Sequence, residues 1–187
     1  TGCSTGCNVT IEHDRNEVFR LKPHENQNVN KWWLCDEGRL TYRKMNEKKS
    51  TINQPLGLIG ENLEGISWEK AYGAIAERIR ELKPLPQEVL ALTDTHASNE
   101  ELFLFQKLLK EGFSSENIFC PFPAWEQSES DFFINTLITT DKTPNRAGAL
   151  ALQIKGDQKN KKLKKVIEGE LKVVFVLGNP FETESEL

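Results

Sequence analysis

Three cysteines near the amino end constrain this chain more than any other feature of its sequence. Cys3 and Cys7 lie in Thr-Gly-Cys-Ser-Thr-Gly-Cys-Asn, and Cys35 lies in Trp-Trp-Leu-Cys-Asp-Glu-Gly-Arg, which gives the spacing C-x3-C-x27-C. A loop that contains glycine can present two thiolates to a metal centre while a third arrives from a distant segment. The spacing therefore predicts a metal site with three cysteine ligands, Cys3, Cys7 and Cys35, and one open coordination position.

The fourth ligand of this site is the main open question. A cysteine immediately before Thr1 would complete C-x2-C-x3-C-x27-C, a four-thiolate set of the kind that holds a [4Fe–4S] cluster. Because Met45 is the only methionine, we expect Thr1 to be an internal residue of a longer chain and the site to be cut at its first ligand. Zinc is the alternative, since His13 or His24 could complete a Cys3His centre, although neither histidine has zinc-finger spacing.

The composition of the chain excludes several functional classes. A net charge of −4 with 28% charged residues does not provide the basic surface that a nucleic-acid partner needs. The apolar runs fall far short of the ~20 residues of a membrane span, and no glycine-rich nucleotide motif is present. Four cysteines are too few for a disulfide scaffold, so we expect a reducing compartment, the cytoplasm or its organellar equivalent.

Residues 1–56 are predicted to form a small β-rich domain around the metal. Residues 8–21 contain two short β-rich runs, and residues 14–17 between them have turn chemistry, which predicts a hairpin. The polar segment that follows is predicted to be a loop that returns the chain to the metal, where Trp32 and Trp33 pack over the site. A unit of this size has little core of its own, so the metal should contribute much of its stability.

Residues 57–187 alternate strand and helix patterns, which predicts part of an α/β domain with a mostly parallel sheet and helices on both faces. The predicted elements are a helix at 68–82, a strand at 88–93, a helix at 98–111 opened by a Ser98–Glu101 capping box, strands at 118–120 and 133–139, a helix from about 147, a lysine-rich helix near 158–168 and a strand at 171–177. Since the chain stops soon after the last strand, we expect this region to be the first part of a larger domain.

Two further residues are chemical candidates. Cys120 has no base or second thiol near it in the sequence, which favours a buried residue at a strand end. His96 follows a predicted strand, where open α/β sheets place active groups, but no nucleophile accompanies it and a solvent-facing or capping role is favoured.

The order of the short motifs resembles the molybdopterin oxidoreductase superfamily, in which a small iron–sulfur domain precedes a large α/β domain. The motifs are Cys3-Ser-Thr-Gly-Cys7-Asn8, Asn28-Val29-Asn30, Trp33-Leu-Cys35-Asp36-Glu37-Gly38-Arg39, Pro55-Leu56 and Ile66-Ser67-Trp68-Glu69. Within the superfamily, residues 97–102 and 140–148 resemble the large iron–sulfur subunit of proton-pumping NADH:quinone oxidoreductase, respiratory complex I.

The resemblance implies an electron-transfer and scaffold role in such a subunit. It implies a [4Fe–4S] cluster completed by a cysteine upstream of Cys3, no molybdenum cofactor, and other respiratory-complex subunits as partners on the cytoplasmic, peripheral side of the inner-membrane complex. The isolated fragment is expected to be inactive, because the reaction belongs to the whole complex.

Two other functions stay open at this point. One is a molybdenum- or tungsten-dependent oxidoreductase such as a formate dehydrogenase, and the other is a vestigial, non-redox assembly domain. Molybdoenzymes commonly have a lysine two residues after the last cluster cysteine, whereas this chain has Glu37. An anion there would disfavour adding an electron to the cluster, which argues against the molybdenum alternative.

Overall fold

The computed structural model describes residues 2–46, 52–120, 138–139, 141–154, 156 and 161–180. Within these residues, the strands form two antiparallel pairs followed by one parallel sheet of three strands. The predicted α/β fold class, with a small β-rich part ahead of a parallel sheet, is confirmed. The strand predicted at 133–139 lies outside the described residues except for positions 138 and 139.

The amino-terminal region is built on an antiparallel hairpin of β1 (Val9–Asp14) and β2 (Glu17–Pro23). Arg15 and Asn16 connect the strands with φ of 48° and 66°. Positive φ at both central residues gives a two-residue turn the twist that the strands require, so the predicted hairpin is confirmed.

Two short helices and a second hairpin, none of which the sequence patterns predicted, complete the first third of the chain. The helices α1 (Asp36–Leu40) and α2 (Tyr42–Met45) both contact β2. The hairpin consists of β3 (Leu56–Ile59) and β4 (Asn62–Gly65), and it spans the predicted domain boundary at residue 56.

Helix α3 (Trp68–Leu82) has the predicted bounds and is capped by the Ser67 hydroxyl, which accepts the Lys70 N–H. No residue of α3 is buried, and Trp68, Tyr72 and Ile75 are more than half exposed. The described part of the chain therefore covers the apolar stripe of this helix only in part.

The parallel sheet has the order β6-β5-β7, with β5 (Val89–Thr93) between β6 (Ile118–Phe119) and β7 (Val173–Leu177). All five residues of β5 are buried. A central parallel strand is covered on both faces, which explains why its sequence is a continuous apolar run rather than an alternating one.

Helices cover both faces of this sheet, as predicted. They are α4 (Asn99–Lys107), which continues as a π-helical turn over residues 108–112, α5 (Arg146–Ala151) and α6 (Lys161–Ile167). One face packs in a core with Leu102 of α4 and Ala149 of α5, whereas the other packs against Leu163 of α6. None of the helices in the described part of the chain has the length and hydropathy needed to cross a bilayer.

Candidate metal centre

The cysteines predicted as ligands lie on two segments of the amino-terminal region. Cys3 and Cys7 lie on the loop before β1, where Gly6 has a φ of 65° that favours glycine. Cys35 is the N-cap of α1, and its Sγ accepts the backbone N–H of Gly38 at 3.3 Å. All three thiols are partly buried.

The structure brings these three thiols into electrostatic range of one another. The pKa of Cys7 is raised, first by burial and then by the negative charges of Cys3 and Cys35, as expected for neighbouring thiolates. No group of three or more Cys, His, Asp or Glu side chains among the described residues is placed to hold a single metal ion.

A cluster and a zinc ion place their thiolate ligands differently. Zinc needs all of its thiolates about 2.3 Å from one centre. In a [4Fe–4S] cluster each cysteine binds a different iron, so the thiolates stand further apart.

The two histidines considered as zinc ligands are not gathered with the thiols in the described structure. His13 is exposed on β1, opposite Val18. His24 is also exposed, and its Nδ1 lies 3.4 Å from the Thr10 hydroxyl. The structure thus offers no observation in favour of a Cys3His centre.

A buried amide, Asn30, connects the two segments that carry the cysteines. Its Oδ1 accepts the Asn8 N–H at 2.9 Å, and its Nδ2 donates to the carbonyls of His24 at 3.2 Å and Trp33 at 3.1 Å. Asn8 directly follows one predicted ligand, and Trp33 lies two residues before another. Asn30 is only 6% exposed, so these bonds form away from water and hold the segments together. The short motif that contains Asn30 gave no indication of this role.

The tryptophans expected over the site do not form a buried cover. Trp32 is 68% exposed, and Trp33 is 36% exposed. Their rings meet edge to face with centroids 6.2 Å apart. The apolar residue that is buried in this segment is Leu34, at 2% exposure.

A distant segment that begins at Asp141 contacts both parts of the site. The Ser4 N–H, between the first two cysteines, donates to the Asp141 carbonyl at 2.9 Å. The Lys142 ammonium forms an ion pair with the Glu37 carboxylate. Glu37 is therefore not the uncompensated anion that the sequence suggested, because a cation from 105 positions away pairs with it.

The other two candidate residues have structural surroundings. The Asp94 carboxylate accepts the N–H groups of His96 at 2.8 Å and Asn179 at 2.6 Å, which connects the carboxyl ends of β5 and β7. The His96 side chain is exposed. Cys120 is fully buried, and burial, with a smaller contribution from Asp94, raises its pKa to about 12. The prediction that Cys120 is a buried residue at a strand end is confirmed.

The segment that contains the three thiols matches a known family. Residues 3–43 match the model described as NADH-ubiquinone oxidoreductase NDSU1/NuoG-like, 4Fe-4S domain. This segment is therefore similar to the 4Fe-4S domain of that family. The resemblance to the large iron–sulfur subunit of complex I is thereby confirmed, as is [4Fe–4S] as the cofactor type of this domain.

Curated relatives extend the similarity beyond residue 43. An NADH-quinone oxidoreductase subunit of Rickettsia bellii is 32% identical over 114 residues, which is 60% of this chain and 16% of that protein. The mitochondrial NADH dehydrogenase [ubiquinone] iron-sulfur protein 1 of Solanum tuberosum is 29% identical over 63% of this chain and 15% of its own length. A Staphylococcus aureus protein provisionally named as a formate dehydrogenase is 24% identical over 66% of this chain and 13% of its own length. The chain spans less than a fifth of each relative.

Proposed function

We propose that Cys3, Cys7 and Cys35 hold a [4Fe–4S] cluster and that the chain is an electron-transfer and scaffold part of the iron–sulfur subunit of an NADH:quinone oxidoreductase. The observation that carries the proposal is the convergence of three partly buried thiols from two segments joined by Asn30. All of these residues lie within the segment 3–43 that matches the 4Fe-4S domain model.

The fourth ligand belongs to the same proposal. A cysteine immediately before Thr1 would supply the remaining thiolate, because it would stand in the C-x2-C spacing to Cys3. That cysteine, Cys3 and Cys7 would then present three thiolates from one loop, and Cys35 would present the last from the start of α1.

The residues around the thiols have definable tasks. A bound [4Fe–4S] cluster supplies one-electron oxidation and reduction. The Gly38 N–H donates to the Cys35 sulfur, and hydrogen bonds to ligand sulfurs stabilise the more negative, reduced state. Asn30 keeps the spacing between the cysteine loop and α1 by its three hydrogen bonds.

The proposal extends to the setting of the chain. Its partners would be other subunits of the complex, and it would lie on the cytoplasmic, peripheral side of the inner membrane. The names of the Rickettsia bellii and Solanum tuberosum relatives, an NADH-quinone oxidoreductase subunit and an NADH dehydrogenase iron-sulfur protein, support the proposed partners. NADH oxidation and quinone reduction would be activities of the whole complex, and the isolated chain would catalyse neither.

Anaerobic reconstitution with iron and sulfide tests the ligand set. We expect the chain extended by one cysteine before Thr1 to bind ~4 iron and ~4 sulfide and to give a paramagnetic signal on reduction, whereas the unextended chain should bind less iron. Cys7→Ser and Cys35→Ser should each abolish the signal, and the matched control Cys120→Ser should retain it. An extended chain that stays free of iron, or keeps its full signal after Cys35→Ser, would refute the proposal.

A molybdenum- or tungsten-dependent oxidoreductase is the second candidate, and the similarity to the Staphylococcus aureus protein is the observation in its favour. Glu37 is the observation against it, because the lysine that couples the cluster to a pterin is absent from that position. Metal analysis of the full-length protein, together with a formate oxidation assay, separates the two functions.

A vestigial assembly domain is the third candidate. The observation in its favour is that no group of three or more Cys, His, Asp or Glu side chains in the described residues is placed to hold a metal ion. Replacing Cys3, Cys7 and Cys35 together by serine in the full-length protein tests it. Unchanged assembly with unchanged electron flow would establish this candidate over the electron carrier.

A further inference from the structure

The segment from Asp141 to Arg146, here called the brace, joins the cysteine loop to the edge of the parallel sheet. We propose that the brace positions the loop that carries Cys3 and Cys7, and that Lys142 sets the charge beside the cluster by neutralising Glu37. The part of this inference that concerns charge rests on the proposed function, whereas the positioning of the loop does not.

The brace contacts the cysteine region at two points. The Ser4 N–H donates to the Asp141 carbonyl at 2.9 Å, and Ser4 is the residue directly after Cys3. The Lys142 ammonium pairs with Glu37, two residues beyond the last cysteine. The Lys142 side chain is 24% exposed and that of Glu37 is 54% exposed, so the pair is less screened than a fully exposed one.

The other end of the brace is anchored on the sheet. The Asn145 N–H donates to the Thr95 carbonyl at 2.8 Å, and Asn145 Nδ2 donates to the Ala97 carbonyl at 2.9 Å. Thr95 and Ala97 are buried just beyond the carboxyl end of β5. The brace therefore holds the loop of Cys3 and Cys7 at a fixed position relative to the end of β5.

The brace is stiff enough for this task because its own side chains fix its turn. The Asp141 carboxylate accepts hydrogen bonds from the Thr143 N–H at 3.1 Å and from the Thr143 hydroxyl. The Arg146 guanidinium lies 4.0 Å from the same carboxylate. Asp141 and Thr143 are both buried. These bonds direct the Asp141 carbonyl toward Ser4.

The charges of Glu37 and Lys142 have opposite effects on the reduction of a nearby cluster. A carboxylate close to Cys35 disfavours adding an electron to a thiolate-ligated cluster, and a cation paired with that carboxylate offsets the effect. Lys142 supplies from a distant segment the positive charge that the position two residues after Cys35 lacks.

Hydrogen exchange of the Ser4 amide tests the positioning without any cluster. Lys142→Met should speed exchange by about 1.5- to 5-fold, the range expected for losing one partly exposed ion pair. Lys107→Met, which removes the exposed Lys107–Glu111 pair of α4, should leave the rate unchanged. The exchanged pair Lys142→Glu with Glu37→Lys should restore protection. Native-like protection in Lys142→Met, at an unchanged unfolding midpoint, would overturn the positioning role.

The reduction potential of the reconstituted, cysteine-extended protein tests the charge role. Lys142→Met should shift the midpoint potential downward, and adding Glu37→Gln to it should bring the potential back toward that of the parent. An unshifted potential in Lys142→Met would overturn the charge role. If no cluster forms at all, the proposed function fails while the Ser4 exchange still decides the positioning role.

Discussion

Asn30 shows how one buried side chain can set the geometry of a ligand set that it does not join. Its amide uses both its acceptor and its donors on three backbone groups. An aliphatic side chain of similar size would leave those groups unpaired, and buried unpaired groups are expensive. The spacing between the cysteine segments thus depends on a residue that no metal-ligand motif would single out.

Asn30→Ala should destabilise the amino-terminal region by about 2–4 kcal/mol, because it removes three hydrogen bonds and leaves buried backbone groups unsatisfied. Urea unfolding of the apo-protein measures this loss, and reconstitution should give a lower iron yield. Asn28→Ala is the matched control, since Asn28 is exposed and should change stability by less than about 0.5 kcal/mol. Equal effects of the two substitutions would refute the role of Asn30.

Cys120 is chemically different from the other three cysteines, because burial keeps its thiol protonated. With its pKa near 12, Cys120 should resist iodoacetamide at pH 8 in the native apo-protein, whereas Cys3, Cys7 and Cys35 should be alkylated. Peptide mass spectrometry of native and urea-unfolded samples reads out each thiol. Rapid native labelling of Cys120 would contradict its placement in the core.

The same pKa gives the sign of a pH effect on stability. An unfolded Cys120 ionises near its ordinary pKa of 9.0, while the folded thiol stays protonated to about pH 12. The unfolded state therefore binds fewer protons between these values, and the contribution of Cys120 to stability falls as pH rises through that window.

At the scale of elements, the sequence predicted correctly those helix ends and turns that depend on residues close together in the chain. Residues a few positions apart determine the turn at Arg15 and Asn16, the bounds of α3 and the Ser98–Glu101 box. All three are present in the structure. Sequence patterns did not predict several features that depend on residues distant in the chain.

Three features of the structure could not be predicted from sequence patterns. The β3–β4 hairpin is exposed along most of its length, so it lacks the alternation that marks a half-buried strand. The Lys142–Glu37 pair joins residues 105 positions apart. The role of Asn30 depends on three backbone groups that only the folded chain brings together.

Ser98→Ala should lower the free energy of unfolding by about 1 kcal/mol, because it removes one half of a capping box from a helix that is packed in the core. The Ser98 hydroxyl accepts the Glu101 N–H at 3.2 Å, and α4 buries Leu102 completely. Ser67→Ala makes the same change on α3, which buries no residue. Ser67→Ala should lower the free energy of global unfolding less than Ser98→Ala does. Equal losses of stability in thermal melts would show that packing of the helix in the core does not matter for the effect of its cap.

At the scale of the whole molecule, Asp94 connects the ends of two strands that are far apart in sequence. Gly178 makes the connection possible, because its φ is 78° and an added Cβ would lie 2.2 Å from Asp94 Oδ2. The Asn179 N–H can then reach Asp94 Oδ2 at 2.6 Å. The carboxyl edge of the sheet, on which the brace is anchored, depends on this close approach.

Gly178→Ala should lower the free energy of unfolding by more than about 1 kcal/mol, since a side chain in the left-handed region is strained and the new methyl group would displace Asp94. Gly73→Ala is a control of opposite sign. No heavy atom lies within 4 Å of its added Cβ, so removing a glycine from the interior of α3 should stabilise that helix by up to about 1 kcal/mol. Chemical denaturation and helical circular dichroism of both variants measure the difference, and a neutral Gly178→Ala would show that the strand ends do not need this contact.

The long sequence separation of the brace also has a kinetic consequence. The Asn30 hydrogen bonds that join the two cysteine segments lie within residues 3–43, whereas β5 and β7 pair residue 89 with residue 173 and the brace reaches Glu37 from residue 142. Local contacts close quickly, and long-range parallel pairing is slow because its loop entropy must be overcome first. We therefore expect the cysteine loop to assemble early during folding and to stay open to an incoming cluster until the sheet forms and the brace closes over it.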